Sequence, residues 1–325
     1  MTGKYHVIIQ NRRIKFEFDL KRNITVIRGD SATGKTTLMG LIENYERLGE
    51  ESGVNISCRL RCRTLNNGNW ESVIKESDQC IIFMDEDTIA VKTDEFAACM
   101  RESNNYYVII TRENLPNLPY SVEEIYGIHT SGRYVDLKQT YSSFYRLYPV
   151  EEINKNIPAD VVITEDTNSG YEFINAVVKG EVLCLPAGGK SRIRGLLDEC
   201  REKRVLVIAD SAAFGSEIAE LYLVMKNWGN ICLYLPESFE WIILSSGLID
   251  GKRIADVLQH TEDYVDSSKY FSWERYYTDL LVRETEGTYL QYTKNKLNRS
   301  YLNDKEKKAI LRVMEVIKVL VKNER

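Results

Sequence analysis

Long apolar runs are missing from this chain. No stretch approaches the ~18 consecutive apolar residues that a membrane-crossing helix needs. The opening Met1-Thr2-Gly3-Lys4-Tyr5-His6 holds no apolar core of a secretory leader. The expectation is a soluble, cytoplasmic protein with no membrane partner. A cysteine framework is missing as well. Seven cysteines, at 58, 62, 80, 99, 184, 200 and 232, form an odd set without regular spacing. That excludes a disulfide-stapled scaffold and points to reduced, structural thiols. Cys58 and Cys62 lie close together, yet no second pair completes a metal site. Basic excess is also absent. Lys and Arg number 43 against 48 Asp and Glu, for a net charge of −5. No chain-wide electrostatic footprint for nucleic acid exists, so any such contact has to be local. Repeats and low-complexity tracts are absent too.

What is present is the composition of an ordinary globular protein, with 43% apolar residues over 325 positions. At ~150 residues per domain, about two domains are expected. The most informative segment is Gly29-Asp30-Ser31-Ala32-Thr33-Gly34-Lys35-Thr36. It fits the phosphate-binding pattern G-x-x-x-x-G-K-[ST] without a gap. The stretch Asn23–Arg28 precedes it as a short buried strand, and a helix is expected from about Lys35 to Leu48, with Thr37 in its first turn. Backbone amides of residues 29–37 would wrap phosphates, and the helix N-terminus adds positive potential. Lys35 would reach the β- and γ-phosphates, and Thr36 offers a hydroxyl to Mg²⁺. Asp30, a carboxylate inside the loop, is expected to point outward.

A phosphate site needs a metal-orienting acid at the end of a neighbouring strand. Apolar Ile81-Ile82-Phe83-Met84 runs into Asp85-Glu86-Asp87. Asp85 is placed to hold Mg²⁺ through water and Glu86 to orient or deprotonate the attacking water. A third apolar strand, Tyr106–Ile110, ends in Thr111 and Arg112. Either side chain can sense a γ-phosphate there, and a strand cap is the plainer reading. Ahead of the loop, Tyr5–Gln10 and Arg13–Leu20 read as strands. Val54–Leu65 reads as one strand and Asp94–Glu102 as a helix. Shorter strands are expected over 120–148, including Arg133–Leu137, with turns at Gly127 and Gly132.

On these residues the first ~150 positions resemble the P-loop NTPases, and more loosely the ATPase heads related to ABC and recombination-repair proteins. The resemblance implies ATP and Mg²⁺ at Lys35, Thr36 and Asp85, with Glu86 as catalytic carboxylate. The chain departs from those heads in one respect. No Leu-Ser-Gly-Gly-like signature lies between Lys35 and Asp85, so a head-to-head ATP sandwich has no visible source for its trans-acting half.

A proline-bracketed, charged stretch over 149–158 marks the boundary, and a second strand–helix alternation follows. Strands are expected at 160–164, 182–185, 204–209 and 231–235, with helices at 170–178, 191–203 and 217–228. Alternation of this kind implies parallel pairing. Three strands end in acids: Glu165-Asp166, Asp210, and Glu237 with Glu240. Carboxylates converging at adjacent strand ends repel unless a cation neutralises them, which makes Mg²⁺ the expected metal at Glu165 and Asp210. The basic turn Ala187-Gly188-Gly189-Lys190 is a further candidate phosphate contact, or a plain strand–helix connection.

The order of these acids resembles the Toprim domain. Glu165 matches its first acid, and Asp210 and Gly215 match the ends of its Asp-x-Asp-x-x-Gly. Ala212 stands where the second aspartate belongs, and Glu237 and Glu240 are the candidates to replace it. An ATPase head joined to a Toprim domain resembles the overcoming-lysogenization-defect nucleases and related phage-defence proteins. The expected α/β architecture is a P-loop NTPase domain over 1–150, a Toprim/Rossmann-like parallel domain over 158–250 and a helical region over 251–325.

From Lys294 onward ten Lys/Arg stand against four Asp/Glu, a local excess suited to phosphates or to a solvated helix face. Three functions compete: an ATP-hydrolysing switch controlling a Toprim-like domain, a Mg²⁺-dependent nuclease regulated by ATP, and a non-catalytic nucleotide-binding assembly protein. A nucleic-acid or protein partner and a homo-oligomer stay open.

Overall fold

A computed structural model describes residues 1–29, 34–131, 139–153, 158–249 and 251–314. The protein is a mixed α/β chain with a large, mostly parallel sheet. It divides into two compact units. The first holds Met1–Leu147 together with Glu262–Ser272, and the second holds Tyr148–Thr261 together with Trp273–Arg325.

The first unit is built on nine strands: β1 (Tyr5–Gln10), β2 (Ile14–Leu20), β3 (Ile24–Ile27), β4 (Asn55–Ser57), β5 (Arg61–Thr64), β6 (Cys80–Met84), β7 (Tyr106–Ile110), β8 (Ile125–Thr130) and β9 (Thr140–Arg146). Their spatial order is β4-β1-β2-β9-β8-β3-β7-β6-β5. The segment from β8 through β5 is parallel, while β1 pairs antiparallel with both β2 and β4. Strands β3, β6 and β7 are buried along their whole length, as expected of a parallel sheet covered on both faces. In β1 and β2 burial alternates instead: Val7, Ile9, Phe16 and Phe18 turn inward. That is the period-two signature of a strand with one face on the core.

The helix Lys35–Leu48 supplies the other side of this core through Leu38, Met39, Leu41 and Ile42. Their spacing places them on one helix face. Its chain end turns at Gly49, whose φ of 57° suits a residue without a Cβ.

Two expectations change here. The single strand over Val54–Leu65 is two strands, β4 and β5, at opposite ends of the strand order. Only Cys58-Arg59-Leu60 joins them, so the sheet curls until its edges lie within the reach of that link, about 14 Å. Gly127 is not a turn. It sits inside β8, opposite Tyr145 of β9. A Cβ on Gly127 would stand 2.5 Å from the Tyr145 ring, so the missing side chain makes room for a cross-strand aromatic. Gly132 and Arg133–Leu137 lie outside the described residues.

The second unit holds a four-stranded, wholly parallel sheet of β10 (Val161–Thr164), β11 (Leu183–Pro186), β12 (Val205–Ile208) and β13 (Ile231–Tyr234), in the order β11-β10-β12-β13. Helices Ser169–Val178, Ile193–Glu199 and Ile218–Trp228 connect the strands. The expected helix over 191–203 is shorter, because residues 190–192 form a tight turn first and Cys200 ends it. Past β13, helix Phe239–Ser245 packs against Trp273–Thr285 and Asp304–Val313. Within the helical region expected over 251–325, Asp304–Val313 is a helix, and residues 315–325 lie outside the described residues.

Candidate functional site

In the first unit, three parallel strands bring the expected nucleotide residues to one edge. Gly29 leaves β3, Asp85 and Glu86 leave β6, and Thr111 and Arg112 leave β7. β7 lies between the other two. Parallel neighbours are ~4.8 Å apart, so Gly29 and Asp85 start about 10 Å from each other across the sheet.

Gly29 has φ 142° and Gly34 has φ 91°. Both values favour glycine. Gly34 is the N-cap of the helix that Lys35, Thr36 and Thr37 begin, and no side chain caps it. As a glycine, Gly34 offers no side-chain acceptor to the first-turn amides of that helix. Lys35 is buried, and its ammonium donates to the Gly29 carbonyl. Thr36 and Thr37 are exposed. Asp30, Ser31, Ala32 and Thr33 lie outside the described residues.

Asp85 is half-buried, and its Oδ1 accepts the Asp87 amide at 3.2 Å. Glu86 is exposed and ion-paired: Arg112 Nε lies 3.2 Å from Glu86 Oε2. That contact joins the ends of β6 and β7. Thr111 is buried, and its hydroxyl accepts the Glu113 amide at 3.0 Å, so it caps the turn after β7. Behind the strand ends, Arg28 is buried and donates to the Asn114 side chain at 2.8 Å and to the Tyr120 hydroxyl at 2.9 Å. It ties the residue before Gly29 to the segment after β7. The pairing of Glu86 with Arg112 was not legible beforehand, because it depends on β6 and β7 being neighbours.

In the second unit, Glu165 and Asp210 do meet. The Asp210 amide donates to Glu165 Oε2 at 3.1 Å, across adjacent β10 and β12. They line a cavity of about 40 Å³ together with Asp166, Glu240, Tyr292 and Lys294. Glu240 is 1% exposed. Its Oε1 accepts the Tyr292 hydroxyl at 2.8 Å, and among the described residues its Oε2 has no hydrogen-bond partner. Lys294 is ion-paired with Glu274.

Burial, followed by the neighbouring carboxylates, pushes Glu165 up to about 7 and Asp210 well above the usual aspartate range. Burial opposes the Lys294 ammonium, but Glu240 and Glu274 outweigh it and hold that group above the ordinary lysine range. Lys294 thus sets a positive charge beside these acids. Ala212, buried in the turn after β12, brings no ligand. Glu237 does not line the cavity, whereas Glu240 does. Among the described residues no group of three or more His, Cys, Asp or Glu is arranged to hold a metal.

Lys294, Tyr292 and Glu274 were missed in the sequence because they lie far along the chain, in segments with no motif. Their docking is made by Ser169, whose hydroxyl donates to the Lys294 carbonyl at 2.6 Å, and by the Leu297 amide, which donates to Glu172 at 2.8 Å. The basic turn at 187–190 is a structural connection. The Ala187 and Gly189 amides donate to Thr164 and Glu165 carbonyls, and the Lys190 ammonium donates to Ser216 Oγ at 2.9 Å.

No protein-family model, curated protein or solved structure matches this chain.

Proposed function

We propose that the first unit binds ATP with Mg²⁺ beyond the end of β3 and hydrolyses it, and that nucleotide state controls the second unit, read as a degenerate Toprim-like domain. The observation that carries this reading is the Gly29–Thr36 motif bracketed by a buried strand and a helix start. The left-handed Gly34 and the ammonium of Lys35 at that helix end support it. Helix-start amides and a point positive charge suit the β- and γ-phosphates. Thr36 and, through water, Asp85 would hold Mg²⁺, which when bound neutralises charge between the phosphates. Glu86 would accept a proton from the attacking water, and Arg112 holds Glu86 in orientation. Arg112 also supports a γ-phosphate contact at the end of β7.

Phosphate release from ATP with Mg²⁺ tests the reading. Lys35→Ala should lower it by roughly 100-fold or more, the scale for losing one charged contact to a transition state. Glu86→Gln should keep nucleotide binding and lose turnover. Release by Lys35→Ala equal to that of the unchanged protein would refute the site. Binding without release would instead favour a non-catalytic assembly protein. A nuclease centred on Glu165 and Asp210 has less support, since Lys294 already faces those acids.

A further inference from the structure

The link between β4 and β5 carries two sulfurs in one place, and the nucleotide reading uses neither. Cys58 closes β4 and Cys62 lies in β5. Cys62 is buried in the core of the curled sheet, while Cys58 is half-buried. Both thiols line one cavity, and Cys58 packs against the core cluster that holds Cys62. That cavity, of about 340 Å³, is floored by Tyr45 and Glu46 of helix Lys35–Leu48 and rimmed by Arg59 and Arg61. The Leu60 amide donates to the outer sulfur, Cys58 Sγ, at 3.4 Å, a contact that favours its thiolate.

We propose that Cys58 and Cys62 form a hydroperoxide-reactive dithiol, with Cys58 as the attacking sulfur and Cys62 as the resolving one, closing a disulfide that clasps the two edges of the sheet. Cys58 thiolate attacks the terminal peroxide oxygen. An S–O bond forms as the O–O bond breaks, and the departing oxygen takes a proton to leave as water or an alcohol. The sulfur is oxidised by two electrons and the peroxide is reduced by two. The Cys62 sulfur then attacks the Cys58 sulfenic sulfur. The S–S bond forms, the S–O bond breaks, and water leaves with the Cys62 proton. In sum, two thiols and one hydroperoxide give a disulfide, an alcohol or water, and one further water.

The environments divide these roles. Cys58 is the half-buried sulfur and Cys62 the buried one. The neighbouring Cys62 and the Leu60 amide draw the Cys58 thiol below its ordinary range, while Cys58 and burial push the Cys62 thiol up. Cys99, the other partly exposed cysteine, is pushed up by burial and has no sulfur partner. The remaining cysteines are buried.

The test treats reduced, full-length protein with hydrogen peroxide, blocks the remaining thiols and digests with trypsin. Cleavage after Arg59 and Arg61 separates the two cysteines, so the bridge appears as a linked pair of peptides. That pair is expected at low peroxide excess. In Cys62→Ser, dimedone should mark Cys58 as a trapped sulfenic acid. Before oxidation, Cys58 should alkylate about ten-fold faster than Cys99 at neutral pH, following its larger thiolate fraction. Absence of the linked pair while Cys99 oxidises would overturn the proposal, as would alkylation of Cys58 no faster than Cys99. Both readouts use the unaltered chain, so they decide the matter even if Cys62→Ser fails to fold. Neither requires nucleotide, and failure here leaves the ATP reading untouched.

Discussion

Glu124 lies just before β8 with 1% of its surface exposed, beside Arg22 and Thr25. Thr25 Oγ1 donates to its Oε2 at 3.3 Å, and Arg22 Nε stands 3.7 Å from its Oε1. Burial pushes Glu124 up to about 7, against the pull of Arg22 and Arg146. An acid whose folded value is raised binds more protons in the folded state than in the unfolded one. Its contribution to stability is therefore full below the unfolded value of about 4.3 and is lost as pH rises through about 7. The unfolding free energy should fall across that window by up to about 1.4 kcal/mol per pH unit from this group. Glu124→Gln should flatten the slope, read from urea unfolding at a series of pH values. An unchanged slope would remove Glu124 as its source. At the residue scale the motif from Gly29 to Thr36 was legible, because the amides, the lysine and the hydroxyl it needs are adjacent in the chain. Lys294 was not, since a lone lysine acquires meaning only from the acids that the fold sets around it.

Helix Phe239–Ser245 shows how an element places a functional side chain. Ser238 is its N-cap: fully buried, with Oγ accepting the Trp241 amide at 3.1 Å. The first turn carries Glu240 into the cavity. Ser238→Ala removes the acceptor and should cost about 1 kcal/mol, with Ser238→Gly costing only a few tenths. Equal stability of the alanine variant and the parent in denaturant melts would mean the cap contributes nothing. Elements with strong local patterns were readable in advance. Helix Lys35–Leu48 and strands β1, β6 and β7 follow directly from apolar spacing. Val54–Leu65 reads in the sequence as one strand because apolar alternation cannot reveal that its halves pair with opposite sheet edges. Gly127 reads as a turn because glycine has two uses, and only the Tyr145 ring shows which applies.

At the scale of the whole molecule, two compact units with separate sheets share one chain. A ligand that binds only the folded first unit stabilises that unit by mass action. At a hundred times its dissociation constant, a non-hydrolysable ATP analogue with Mg²⁺ should add about 2.7 kcal/mol to the unfolding free energy of that unit. Calorimetry should show an upward shift of its transition, absent in Lys35→Ala. No shift at saturating analogue would count directly against nucleotide binding.

Local interactions alone determined much of this protein: the strand, loop and helix around Lys35, the two α/β rhythms, and the acids at strand ends. Each of these depends on residues within a turn or a strand of one another, where spacing and composition act directly. Tertiary structure decided the rest. It set β7 between β3 and β6, paired Arg112 with Glu86, closed the curled sheet through Cys58-Arg59-Leu60, and set Lys294 facing Glu165 and Asp210. Those arrangements join segments far apart in the chain; Ser169 and Lys294, for one, are separated by 125 residues. Which distant surfaces bury each other is settled by packing the whole chain, and no local pattern carries that information.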